Sequence, residues 1–285
     1  LFNLVDVWLV GRYAPVESVV VDGAGAPVSV GREAALAAIH IASVLNFIPM
    51  LVANGISVAT IGTVSRAIGA RETTRAAEVI HHSIVISVLL GIVIGAIAGL
   101  SAPLQLLFLG TPRDVVIPAK SCLVILSYGS VTMFALLQIT AVERAAGRSM
   151  PPLLLLTGAN LLNAGLSILM IPRWGAVGAA WATVISRGLF ALIGVGWLYL
   201  RSPEVRETLG KLGGVVGETV LLLRLAIPAS LQLFARALAV LVVTGLLIPP
   251  EGSATSATEA TDVSAAYGVA LRLEMIAMFA CAGWG

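Results

Sequence analysis

The stretch VIHHSIVISVLLGIVIGAIAGL, residues 79–100, contains no Asp, Glu, Lys or Arg. About 20 such residues, wound into a helix, cross the hydrocarbon core of a bilayer. The same pattern predicts further spans at residues 34–62, 121–142, 152–171, 176–200 and 221–248, with partial ones at 1–10 and 264–285. We therefore expect an all-α, polytopic transmembrane helix bundle of about eight helices, the first and last of them truncated.

The composition excludes several classes of protein. Of the 285 residues, 58% are hydrophobic and only 11% are charged, and the mean hydropathy is +1.00. Soluble domains carry roughly 25% charged residues, which they need to cover their surface. A water-soluble globular protein, a disordered chain and a nucleic-acid-binding protein are all excluded, and we expect the lipid bilayer to surround the helices.

The distribution of basic residues between the connecting segments predicts the orientation of the spans. The segments 66–75, 143–151 and 201–224 together hold nine Lys and Arg residues, whereas the segments on the opposite side hold five. The last of those, residues 249–263, is acidic and has no basic residue. Because cationic segments remain in the cytoplasm, we expect the three basic segments to be cytoplasmic in a multi-pass protein of the cell (cytoplasmic or inner) membrane.

Several charged residues lie inside apolar stretches, where a charge needs a partner, a cavity or a function. Asp6 is either a cation or proton site that faces a cavity, or a structural residue neutralised by an arginine. Arg187 follows Ser186 near the predicted cytoplasmic side, where we expect it to reach the membrane surface by extending its side chain. A second polar site, or structural pairing, is predicted at Arg236, Arg272 and Glu274.

Uncharged polar residues mark one further region. Asn160 and Asn163 are three residues apart and so share one helix face, and either can form an interhelical hydrogen bond. Thr183 can bond its own helix backbone. The glycines Gly91, Gly95 and Gly99 recur every four residues, which predicts close packing of helices. The histidines do not form a metal-binding pattern, and we expect neither a metal nor a cofactor.

The chain also contains a weak internal repeat. Residues 36–42 (LAAIHIA) are similar to residues 264–270 (SAAYGVA), and six predicted spans separate the two copies. An even number of spans gives both copies the same orientation in the membrane. Parallel repeats of this kind are typical of secondary transporters.

The residues then show a family resemblance that covers nearly the whole chain. The segments VDVWLVG (residues 5–11) and AALAAIHIA (34–42) resemble the opening of MATE transporters, the multidrug and toxic compound extrusion family. Residues 54–76 resemble that family's second span and basic loop, and residues 144–170 and 175–186 its fifth and sixth spans. Residues 226–241 and 265–274 (AAYGVALRLE) resemble the start of its second lobe.

The resemblance implies twelve helices in two lobes that work by alternating access. It implies an N-lobe at residues 1–200, a cytoplasmic linker at 201–224 and the start of a C-lobe at 225–285. It further implies antiport of cationic or amphiphilic small molecules against H⁺ or Na⁺ by a monomer that is not an enzyme. The cation- or proton-coupling residues that correspond to the family's pattern are Asp6, Asn160, Asn163 and Thr183. Ser167 stands where many relatives carry an aspartate, which leaves one carboxylate at this site.

Two alternatives remain open from the sequence. A lipid-linked oligosaccharide flippase of the same fold group would show more basic residues along its cavity, and only Arg236 and Arg272 qualify. A seven-helix receptor or sensor is disfavoured by the repeated halves. A membrane-embedded enzyme is disfavoured because no acid, histidine or cysteine constellation is present in the sequence.

Overall fold

A computed structural model describes residues 2–15, 17–21, 27–111, 113–207 and 215–247. The chain divides into two units, Leu1–Ser230 and Leu231–Gly285, and the described part of the second unit is a stretch of α10. The described elements, in chain order, are α1 (Phe2–Tyr13), β1 (Glu17–Val21), β2 (Pro27–Gly31), α2 (Arg32–Leu45), α3 (Phe47–Gly69), α4 (Thr73–Leu100), α5 (Ala102–Phe108), α6 (Arg113–Tyr128), α7 (Ser130–Ala145), α8 (Met150–Arg201), α9 (Pro203–Glu207) and α10 (Val215–Leu247).

The helices confirm the predicted polytopic bundle. Within the described residues, three helical stretches are long and apolar enough to cross a membrane: residues 32–69, α4 and α8. The helices α6 and α7 meet at a 43° bend and make a fourth if they count as one span. The predicted span at 121–142 is therefore bent near Gly129, and the one at 34–62 contains a single turn residue, Asn46, between α2 and α3. The predicted span at 264–285 lies outside the described residues.

The long helix α8 is two antiparallel arms joined at Gly175. Its φ of 55° and ψ of −136° lie in a region that only glycine adopts without strain. Three pairs of residues, at increasing distance from this turn, contact each other across the two arms. They are Gly178 with Met170, Thr183 with Asn163, and Phe190 with Gly158. Each arm is about 37 Å long at 1.5 Å per residue, which is enough to cross a bilayer. The arms correspond to the predicted spans at 152–171 and 176–200.

Two apolar clusters mark the opposite ends of the bundle. One joins the end of α3, the start of α4 and the ends of α7 and α8 to α9, through residues that include Val64, Ala77, Val142, Leu198 and Val205. The other joins the end of α1 to α2, α5, the start of α6 and the turn of α8. The first cluster adjoins all three basic segments. They therefore lie at one end of the bundle, as their predicted shared side of the membrane requires.

Small residues let α4 approach the α6–α7 pair closely, as the glycine spacing predicts. A Cβ added to Gly91 would lie 2.9 Å from the Val131 Cα atom. The freed space is used for polar contacts in the same place: the Ser130 hydroxyl donates to the Gly91 carbonyl at 3.0 Å. The Ser87 hydroxyl donates to the Phe134 carbonyl at 3.2 Å. Backbone contact of this kind stabilises helix pairs in lipid, where no hydrophobic force drives helices together.

The connection between α1 and α2 contains a feature that the sequence analysis did not anticipate. Residues 14–31 read as a Gly/Pro-rich loop, but β1 and β2 pair within it as an antiparallel hairpin in which Val19 lies opposite Ser29. The Nε of Arg32 donates to the Ala14 carbonyl at 3.0 Å, which ties the end of α1 to the start of α2. The fold class remains all-α, with this hairpin as an addition at one end.

Candidate functional site

The carboxylate of Asp6 is enclosed within the bundle. Asp6 lies near the middle of α1, about one turn before Leu9 and Val10, which pack into the apolar cluster at the end opposite the basic segments. Its exposed fraction is 3%. The sequence analysis left open a site that faces a cavity and a structural residue neutralised by an arginine, and the structure surrounds the carboxylate with side chains. A buried carboxylate requires hydrogen-bond donors or a cation, and its surroundings supply both.

Two hydroxyl groups of α8 contact the carboxylate, one from each arm. The Ser167 hydroxyl donates to Asp6 Oδ1 at 3.2 Å, and the Thr183 hydroxyl approaches Asp6 Oδ2 at 2.7 Å. Thr183 also lies 3.0 Å from the Ala179 carbonyl, so its single proton has two alternative acceptors. Ser167 and Thr183 are each eight residues from Gly175, which puts the site about 12 Å from the turn of α8. The turn thus brings distant residues to one point.

The amide of Asn163 completes the contacts. Asn163 is fully buried in the first arm of α8 and faces Thr183 in the second. Its groups are best satisfied when its nitrogen donates to Asp6 Oδ1 at 3.1 Å and its oxygen accepts from the Thr183 backbone N–H at 3.2 Å. In that orientation the amide bridges the carboxylate and the second arm. The structure therefore brings together Asp6, Asn163, Ser167 and Thr183.

The remaining predicted site residues are Asn160, Arg236, Arg272 and Glu274. Asn160 is only partly buried, and its amide donates to the Leu156 carbonyl of its own helix at 2.7 Å. Its amide nitrogen therefore does not donate to Asp6, since a shift of three residues moves a side chain about 4.5 Å along the helix and 60° around it, and a role of Asn160 in coupling stays a prediction. Arg236 is exposed on α10. Arg272 and Glu274 lie outside the described residues.

The sequence analysis allowed for an arginine that neutralises Asp6 but did not identify it. Arg187 is half-buried on α8 and interacts electrostatically with Asp6. It follows Thr183 by four residues, so the two share a face of the second arm. The sequence analysis predicted instead that the Arg187 side chain extends to the membrane surface. The spacing from Thr183 was the available signal, and it gains meaning only once Thr183 is placed beside Asp6.

The arrangement can hold a proton on Asp6 without leaving a polar atom unsatisfied. Hydroxyl groups both donate and accept, so Ser167 and Thr183 can donate to the ionised carboxylate or accept from the protonated one. Among the described residues, no three His, Cys, Asp or Glu side chains lie close enough together to hold a metal ion. The hydrogen-bonding partners of the carboxylate are neutral hydroxyl and amide groups, and Arg187 is the nearby cation.

Comparisons with known proteins agree with this fold. Residues 28–169 match the family model described as MatE. The Bacillus subtilis (strain 168) "Probable multidrug resistance protein YpnP" is 31% identical over 202 residues, which cover 70% of this chain and 44% of that protein. The "Probable multidrug resistance protein YoeA" of the same organism is 28% identical over 213 residues, covering 72% of this chain and 46% of that protein. The chain spans about half the length of these curated relatives.

Solved structures share the fold at lower identity. The Vibrio cholerae MATE transporter VcmN in the bent form superposes with a TM-score of 0.76 at 23% identity, over 97% of this chain and 57% of that one. A MOP superfamily transporter from Pyrococcus furiosus gives a TM-score of 0.74 at 22% identity, over 96% of this chain and 56% of that one. These structures show the shared fold, and the MatE match together with the curated relatives shows that the chain belongs to the MATE family.

Proposed function

We propose that the protein is a secondary active exporter of cationic or amphiphilic small molecules, driven by exchange against H⁺. Membership of the MATE family supports export of small molecules, as do the multidrug resistance names of the relatives. Because the chain spans about half the length of those relatives, the activity belongs to the two-lobed protein as a whole. The residues described here contribute one ion site to it.

The observation that carries the proposal is the enclosed carboxylate of Asp6 with its donors from both arms of α8. An ion that binds there must be released on the other side of the membrane, so the site has to open in turn to each side. Alternating access achieves this when one lobe rocks against the other. Ser167 and Thr183 contact Asp6 from different arms, so a relative movement of α1 and α8 changes the affinity for the bound ion.

Several features favour a proton over Na⁺ as the coupling ion. A dehydrated Na⁺ would need the Ser167, Thr183 and Asn163 oxygens to turn their lone pairs toward it together, and one carboxylate would supply all of the charge. A proton needs one hydroxyl acceptor only. Ser167 stands where many relatives carry a second acid, so the site has the charge of one carboxylate only, which suits a proton better than a dehydrated Na⁺.

The location and assembly follow from the same reasoning. The clustering of the basic segments at one end of the bundle supports a cytoplasmic position for that end. We place the protein in the cytoplasmic membrane as a monomer whose substrate binds between its two lobes. A lipid-linked oligosaccharide flippase remains the alternative within the fold group, and it would need cations along its central cavity.

The experiment is a flux assay on the full-length protein in proteoliposomes. A fluorescent cationic dye should accumulate under a pH gradient in the absence of Na⁺, and a Na⁺ gradient at uniform pH should not drive it. In a second assay, the liposomes contain a labelled isoprenyl-linked sugar, and its movement across the bilayer is measured. Dye flux that requires Na⁺ would refute proton coupling, and translocation of the labelled lipid without dye flux would refute the exporter.

A further inference from the structure

An apolar groove lies between the two arms of α8 at the end of the bundle that carries the basic segments. Its volume is about 620 Å³. Leu154 and Leu155 line it from the first arm, and Phe190, Ile193 and Trp197 line it from the second. Leu154 and Trp197 are exposed by 67% and 51%, so the groove opens outward from the hairpin. Both arms are long enough to cross a bilayer, and an exposed apolar wall on such a hairpin is suited to contact lipid chains.

The rim of the groove is positively charged. Arg148 and Arg201 both line it, one beside the start of the first arm and the other at the end of the second. The guanidinium of Arg201 lies 5.9 Å from the centroid of the Trp197 ring, which holds it over the mouth of the groove. The Nε of Arg148 pairs with Glu143 at 3.1 Å, but Glu143 is only 1% exposed. The charge presented to the rim is therefore positive.

The groove is separate from the ion site at Asp6. Arg201 follows Thr183 by 18 residues on one continuous helical arm, which is about 27 Å along the axis. An occupant must combine an apolar body that fits between the arms with an anionic group that meets two arginines at the membrane surface. Anionic lipids, which cytoplasmic leaflets contain, have this combination.

We propose that this groove is a binding site for an anionic phospholipid of the leaflet on the basic side of the bundle. One acyl chain lies along Leu154, Ile193 and Trp197, and the phosphate lies between Arg148 and Arg201. Arginine suits this role because its planar group presents several N–H donors to phosphate oxygens. The lipid contacts both arms of α8 at the end of the hairpin far from Gly175, where no turn of the chain connects them. The site does not depend on the ion that the protein exchanges.

The test is native mass spectrometry of the full-length protein, titrated with dioleoylphosphatidylglycerol and, separately, with dioleoylphosphatidylcholine. These probes have the same acyl chains and differ in the charge of the head group. We expect the first complex with phosphatidylglycerol to be at least about fivefold tighter than that with phosphatidylcholine. Glycerol 3-phosphate, as the head group alone, should neither bind nor compete at the same concentrations.

The variant Arg201→Gln removes one rim charge and leaves the Arg148–Glu143 pair in place. It should weaken phosphatidylglycerol binding about fivefold, which corresponds to about 1 kcal/mol for one basic residue at the membrane surface. Arg66→Gln is the matched control, because Arg66 is exposed at the same end of the bundle but outside the groove. Its affinity should equal that of the wild type.

Three results would overturn the proposal. Equal affinity for the two lipids in the wild-type chain would remove the role of charge, whatever the variants do. An equal loss in Arg66→Gln and Arg201→Gln would indicate diffuse attraction to the basic end instead of a site. Competition by glycerol 3-phosphate would indicate a site for free phosphate esters.

Discussion

Substitution of Gly178 by alanine should loosen the α8 hairpin on which the ion site depends. A Cβ at this position would lie 2.6 Å from the Met170 carbonyl oxygen and 2.7 Å from its carbon. Both atoms belong to the backbone of the opposite arm, so no side chain can rotate to make room. The arms must separate close to Ser167 and Thr183. Overpacking of this kind costs about 1–3 kcal/mol, and the helix preference of alanine offsets at most about 1 kcal/mol.

A matched control is available in the same hairpin. Gly165 lies in the first arm, and a Cβ added there would meet nothing within 4 Å. Gly165→Ala should therefore stabilise the chain by up to about 1 kcal/mol through helix propensity alone. Gly178→Ala should destabilise it by about 2 kcal/mol, since backbone atoms cannot yield.

Thermal unfolding of the detergent-solubilised chain, followed by circular dichroism, measures the difference. A loss of about 2 kcal/mol lowers the apparent Tm by about 4 °C in a chain of this size class. Gly165→Ala should leave the apparent Tm unchanged or raise it slightly. Equal Tm values for the two alanine variants would refute the close approach of the arms, and with it the geometry that brings Asn163, Ser167 and Thr183 to Asp6.

Three other predictions follow from separate features. Gly175→Ala should lower the stability by about 2 kcal/mol in the same thermal assay, because alanine is strained at a φ of 55° and a ψ of −136°; an unchanged Tm would contradict the turn. Ser167→Asp in the full-length protein should make transport Na⁺-stimulated, because it places a second carboxylate beside Asp6, and transport that stays insensitive to Na⁺ would count against the site. In intact cells, an impermeant maleimide should label a cysteine at Glu251 and not one at Arg71; efficient labelling at position 71 would reverse the predicted orientation.

The helices were predictable because the bilayer imposes one simple rule on the sequence. A span must be apolar over about 20 residues, and residues 79–100 and both arms of α8 meet this rule without tertiary information. The turn at Asn46 and the bend near Gly129 were not predictable, since both lie inside otherwise continuous apolar runs. The hairpin of β1 and β2 was missed because a short strand pair depends on its register and surroundings more than on its composition.

The ion site, like the helices, was predictable from the sequence only in part. Asp6 stood out because a carboxylate in an apolar run requires an explanation, and the family pattern pointed to Asn163, Ser167 and Thr183. Helical spacing could not separate Asn163 from Asn160, since the two differ by only 60° around the helix. The packing of the two arms decides which of the two asparagines contacts Asp6. The interaction of Arg187 with Asp6 likewise depends on how deeply α1 is inserted beside α8, which no local pattern encodes.

The most direct measurement of the proposed coupling role of Asp6 compares two neutralising variants of the full-length protein. Asp6→Asn is nearly isosteric but cannot exchange a proton, whereas Glu72→Gln removes an exposed acid that pairs with Arg75 at the basic end of the bundle. In proteoliposomes under a fixed pH gradient, Asp6→Asn should abolish accumulation of the cationic dye although it inserts and folds normally, and Glu72→Gln should transport at the wild-type rate. Dye accumulation by Asp6→Asn at the wild-type rate would contradict the coupling role and leave Asp6 as a structural residue paired with Arg187.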